Sequence, residues 1–123
     1  MDRTFLLIGA LAGFTGVTLG AFGAHALKAK LSPELMVTYQ TAVQYHFWHA
    51  LGLLAVGMLL LHRPDSGALA AAAWLLAAGL ILFCGSLYAL ALSGVRGWGA
   101  VAPVGGVAFL AAWAALAWCA RRW

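Results

Sequence analysis

Four long apolar runs, separated only by short polar breaks, occupy almost the whole of this chain. A hydrocarbon core about 30 Å thick takes roughly 20 helical residues to cross. Inside lipid every backbone N–H and C=O must find a partner within the protein, so runs of this kind are helices. With 65% of the 123 residues hydrophobic and 8% charged, four such spans leave little length for a soluble domain. The expected fold is therefore an all-α membrane protein, a single domain over 1–123 made of an up-and-down bundle of four transmembrane helices.

The breaks place the helices at about 3–27, 33–61, 68–92 and 103–120. Ser32 is a good N-cap, Pro33 suits the first helical position, and Glu34 favours the positive end of the helix dipole. His62-Arg63-Pro64-Asp65-Ser66-Gly67 and Ser93-Gly94-Val95-Arg96-Gly97-Trp98-Gly99 read as the next two turns. The first run imitates a secretory signal, with a basic start and Ala24-His25-Ala26 placed like a cleavage site. Its apolar stretch from Phe5 to Ala26 is longer than a signal core, and its start is acidic as well as basic, so it reads as a true span.

The formal charge is +4, from seven Lys and Arg against Asp2, Glu34 and Asp65. In a soluble protein this would suggest nucleic acid. Here Arg3, Lys28, Lys30, Arg63, Arg96, Arg121 and Arg122 all sit at helix ends, as anchors facing lipid head groups, so the expected surroundings are membrane lipids and no nucleic acid. Cys84 and Cys119 lie inside apolar runs, where a thiol is a small hydrophobe, and no disulfide is expected. An even number of spans puts Arg3, Arg63, Arg121 and Arg122 on one face and Lys28, Lys30 and Arg96 on the other. The positive-inside rule then predicts cytoplasmic termini.

Two small-residue stripes predict close helix packing. Gly9, Gly13, Gly16, Gly20 and Gly23 line one face of the first helix, and Gly105, Ala108, Ala112, Ala115 and Cys119 line one face of the fourth. Helix association in lipid depends on close backbone approach, which such residues permit. We read the stripes as packing the first helix against the fourth within one bundle, with a seam to a second copy or to another membrane protein as the alternative.

Chemistry concentrates in the second helix, at Tyr39, Gln40, Thr41, Gln44, Tyr45, His46, Trp48 and His49. Up-and-down topology brings His25, His46, His49, Ser86, Tyr88, Arg96 and the start of the fourth helix to similar heights near one interface. A polar cluster of His25, Gln44, Tyr45, His46, His49, Ser86 and Tyr88 is thus the candidate ligand site. The plainer reading is an interfacial belt whose polar groups hydrogen-bond between helices. His25, His46 and His49 form the candidate metal set, and a quinone or lipid head group is the other class of ligand the cluster suits. No catalytic constellation is present: Ser86 lies beside Cys84 with no acid in the same run, so no enzyme and no cofactor are expected. A proton-coupled exporter is opposed by the lack of any Asp or Glu inside the bilayer.

The segments Gly20-Ala21-Phe22-Gly23-Ala24-His25-Ala26-Leu27-Lys28 and Thr41-Ala42-Val43-Gln44-Tyr45-His46-Phe47-Trp48-His49-Ala50-Leu51, followed by Gly85-Ser86-Leu87-Tyr88 and Pro103-Val104-Gly105-Gly106, resemble the YgdD-like family of small bacterial membrane proteins. The resemblance covers essentially the whole chain. It implies a four-helix, multi-pass protein similar to bacterial plasma-membrane members and to a eukaryotic transmembrane relative. The family is one of unknown function, so it implies no catalytic residues. The expectation is a small structural, accessory or binding protein, with a metal-, quinone- or lipid-binding role and a transporter or channel subunit as alternatives.

Overall fold

The computed structural model describes residues 3–123; Asp2, one of the three acids, lies outside the described residues. Four helices follow one another: α1 (Thr4–Leu27), α2 (Pro33–His62), α3 (Gly67–Ser93) and α4 (Ala102–Ala120). A short 3₁₀ turn, Arg96–Ala100, leads into α4. Among the described residues there is no strand. With the 3₁₀ turn counted as part of the last one, all four spans are long and apolar enough to cross a membrane.

Local chemistry explains the ends. Ser32 is extended and its hydroxyl accepts from the backbone N–H of Leu35 at 3.2 Å, while Pro33 occupies the first turn, where its missing N–H is no loss. Ser66 caps α3 in the same way, accepting from Leu69 N–H at 3.2 Å. Gly94 ends α3 with φ +73°, a left-handed conformation that favours glycine.

Two helices widen locally into π turns, Gly23–Leu27 at the end of α1 and Leu80–Cys84 within α3. Single-turn widenings of this kind redirect side chains and often mark functional sites. Each faces a tight contact. Beside the first, the Tyr39 hydroxyl donates to the Leu19 carbonyl at 2.5 Å, and a Cβ placed on Gly23 would run into the Tyr39 ring. Beside the second, a Cβ placed on Gly105 would lie 2.7 Å from Cα and Cβ of Phe83, so α4 rests directly on the α3 backbone there.

The helices pair as two hairpins. α1 lies along α2, α4 lies along α3 and its widened turn, and α2 joins the hairpins by packing on α3. The expectation that the small-residue stripes of α1 and α4 meet is therefore corrected: these two helices share no extended contact. Short loops let each helix pair with its chain neighbour first, and a glycine face records only that something approaches, not which helix does. In α1 the stripe meets α2 at four positions, Gly9 against Leu54, Gly16 against His46 and Phe47, Gly20 against Val43 and Gly23 against Tyr39. A Cβ placed on Gly13 would meet no other helix within 4 Å. From the other side, Gly57 of α2 takes the α1 backbone at Leu6. On α4, Gly105 and Ala112 are buried and Ala108 and Ala115 half-buried, all on the side turned to α3.

The main core is apolar and lies where α2, α3 and α4 converge, around Leu53, Val56, Leu69, Leu76 and Phe109. Large apolar side chains such as Phe14, Ile81 and Leu110 point outward. That arrangement suits a solvent of acyl chains, where an apolar surface carries no penalty.

Candidate functional site

α2 places two buried histidines one turn apart, and each is built into a separate hydrogen-bonded site. His46 reaches two neighbouring helices at once. Its Nδ1 lies 2.8 Å from the Tyr88 hydroxyl of α3, and its Nε2 lies 3.1 Å from Thr15 Oγ1 of α1. The Thr15 hydroxyl also donates to the Ala12 carbonyl at 3.0 Å, a group that can only accept. That terminal acceptor sets the direction of the whole chain: Tyr88 O–H donates to Nδ1, Nε2–H donates to Thr15, and Thr15 O–H donates to Ala12. His46 is thereby the neutral Nε2–H tautomer, with both nitrogens used.

His49 is held in the opposite tautomer. Its Nδ1–H donates to the Tyr45 carbonyl at 2.8 Å, one turn back on α2, and its Nε2 accepts from the Trp113 indole N–H of α4 at 3.0 Å. Phe109 stacks on one face of the ring at 3.6 Å between centroids, and Tyr45, nearly parallel, lies beside the pair, 5.8 Å from His49 and 6.4 Å from Phe109. Phe83 closes on Tyr45 at 4.8 Å. No polar side-chain atom among the described residues is both buried and unpaired, as expected where water is absent.

The expected cluster therefore divides. His46 and Tyr88 come together directly, and Tyr45 joins His49 on the α4 side. Ser86 is buried but spends its hydroxyl on the Phe83 carbonyl of its own helix at 2.9 Å, beside the widened turn. Gln44 is exposed and lines a separate lipid-facing groove between α1 and α2 with Gly20 and Val43. His25 is exposed at the end of α1. The candidate metal set of His25, His46 and His49 is not assembled, because among the described residues no three metal-ligating side chains converge. Both nitrogens of His46 and His49 are also already bonded. Glu34 and Arg96, 4.0 Å apart and exposed, pair across the loop face without approaching either histidine site.

Two site residues escaped the sequence reading. Thr15 is an exposed residue about 120° round α1 from the glycine stripe, so nothing in the sequence marks it until α2 is known to lie beside it. Trp113 reads as one more lipid-facing indole until α4 is known to lie opposite His49.

Between α2 and α4 the backbones stay apart, and aromatic rings span the gap. The result is a lateral groove of about 530 Å³ walled by Tyr45, His49, Phe83, Phe109 and Trp113, with Gly106 on its rim. No charged residue lines it. It runs from Pro103 to Trp113 along α4, about 15 Å at the rise of a helix. The Tyr45 hydroxyl has no hydrogen-bond partner among the described residues, and it is the one uncommitted side-chain polar group in the groove.

Comparison with known proteins places the chain among membrane proteins. A family model described as "Protein of unknown function (DUF423)" matches residues 19–106. The UPF0382 membrane protein YwdK of Bacillus subtilis is 42% identical over 111 residues, covering 90% of each chain. The UPF0382 inner membrane protein YgdD of Escherichia coli is 42% identical over 113 residues, 92% of this chain and 86% of its own. A UPF0382 membrane protein of Staphylococcus epidermidis is 44% identical over 114 residues, covering 93% and 92%. No solved structure matches the chain. With the family model covering most of the sequence and these relatives matched nearly end to end, this chain is a small multi-pass membrane protein that belongs to the DUF423 family.

Proposed function

We propose that this protein is a binding protein of the bilayer rather than an enzyme, and that it holds one lipid-soluble molecule in the lateral groove between α2 and α4. A single observation carries the reading: between α2 and α4 aromatic walls without a charged residue keep about 530 Å³ open, against about 290 Å³ in the α1–α2 groove at Gly20 and Val43. That volume falls within the range of small-molecule sites, roughly 300–1,000 Å³. The lateral opening admits molecules dissolved in lipid, and the lack of charge in the walls suits a neutral occupant. The His46 and His49 networks keep the walls rigid, because each fixes α2 against other helices with every nitrogen engaged.

The test is native mass spectrometry of the protein released from nanodiscs, with extraction of small molecules from the same sample. Gly106→Leu is the comparison variant. A Cβ at Gly106 meets only Phe83 Cδ1, at 3.9 Å, so a larger side chain there enters the groove without displacing a helix. Wild type is expected to carry an adduct that the variant lacks. A clean apo mass for both proteins overturns the reading.

A further inference from the structure

Resting on that reading of the α2–α4 groove, we infer that its occupant is a flat, uncharged ring bearing a carbonyl, of the benzoquinone type, with the Tyr45 hydroxyl as the donor that selects it. The walls are aromatic, with Phe109 stacked on His49 and Phe83 tilted against Tyr45, and such a lining favours a flat guest over a flexible chain. Polarity narrows the class further. The two imidazole nitrogens of His49 are occupied by the Tyr45 carbonyl and the Trp113 indole, and the indole N–H is spent in the same bond. Among the residues lining the groove only the Tyr45 hydroxyl remains to recognise a polar atom. A hydroxyl facing hydrocarbon without a partner is costly, and a carbonyl oxygen satisfies it with one bond. Saturated acyl chains offer no acceptor for it. Anionic head groups bring a charge that nothing in the groove balances. About 15 Å of groove accommodates such a ring with the first part of an apolar tail trailing into the bilayer.

The experiment titrates the purified full-length protein with decyl-substituted benzoquinone and, separately, with decylbenzene, and reads one-to-one complexes by native mass spectrometry. Wild type, Tyr45→Phe and Gly106→Leu are compared, each checked by its thermal unfolding profile. Wild type should bind the quinone at least about threefold more tightly than decylbenzene. Tyr45→Phe keeps the stacked ring and loses only the hydroxyl, so it should bind the quinone about three- to tenfold more weakly and lose the preference. Gly106→Leu should bind neither. Equal binding of both probes to wild type, or a preference unchanged by Tyr45→Phe, overturns this inference while leaving a general lipid-soluble occupant in place. Absence of binding by either probe, together with no co-purifying molecule, overturns both.

Discussion

Substituting Gly105 and Gly106 separately by alanine tests the hairpin contact that orders the second half of the chain. The two glycines are neighbours near the start of α4, so helix propensity rewards both substitutions equally, by about 1 kcal/mol in water and less in lipid. Their surroundings differ sharply. At Gly106 the new methyl meets only the edge of the Phe83 ring, at 3.9 Å, an ordinary contact. At Gly105 it would lie 2.7 Å from Phe83 Cα and Cβ, and closer still to the backbone nitrogen. A side chain can rotate out of the way; backbone cannot. To restore normal separation, α4 must withdraw from α3 by roughly 1 Å, loosening Phe109 and Ala112 in the core, for which overpacking costs of about 1–3 kcal/mol are typical. Gly105→Ala should therefore be about 2 kcal/mol less stable than Gly106→Ala, which should match or exceed wild type. Reversible unfolding in mixed micelles, followed by tryptophan fluorescence, measures the difference. Two variants within about 0.5 kcal/mol of each other would refute the close approach of α4 to the widened turn of α3.

Other expectations follow from the same contacts. Tyr88→Phe and Trp113→Phe each remove one donor to a histidine, and each should cost about 0.6–1.7 kcal/mol, the range for side-chain hydrogen bonds in membranes. They act on different imidazoles, so the double variant should lose roughly the sum; strong non-additivity in micelle unfolding would contradict two independent sites. Tyr39→Phe should cost about 1 kcal/mol through its lost bond to the Leu19 carbonyl, whereas Gly23→Ala should cost more, because the added methyl drives into the Tyr39 ring itself. For orientation, single cysteines at Asp65 and Gly97 in a background free of Cys84 and Cys119 should label oppositely in intact cells. An impermeant thiol reagent should reach position 97 and leave position 65 untouched; the reverse pattern would overturn the cytoplasmic placement of the termini.

The helices were legible because lipid imposes a length rule that composition alone satisfies, and the start of α2 was legible because Ser32, Pro33 and Glu34 form a capping signal with a local mechanism. Helix partners were less legible. The stripe from Gly9 to Gly23 announces close approach, but the identity of the approaching surface depends on side chains of α2 that also read as ordinary apolar residues. The widened turns leave no compositional trace, since Leu80–Cys84 is as good a straight helix as any other apolar run. At the site, the sequence draws the eye to His46, His49 and Tyr88 because polar groups at membrane depth are rare, and the structure places all three in hydrogen bonds between helices. Spacing could not tell that His46 and His49 look toward different helices, a difference of about 60° around α2 after three residues that pairwise packing then amplifies.

The way the two imidazoles divide their bonds has a consequence for how the chain is made. Inside the first hairpin, His46 gives its proton to Thr15 and His49 gives its proton to the Tyr45 carbonyl, and each is left with one bare acceptor nitrogen. The second hairpin carries the matching donors, Tyr88 on α3 and Trp113 on α4. During synthesis the first pair of helices therefore stands in the membrane as a lock with two empty holes, and the later pair is a key with two teeth. Both teeth seat only when α3 and α4 arrive at the right depth and rotation. A copy without its second hairpin leaves one acceptor nitrogen of each imidazole without its partner.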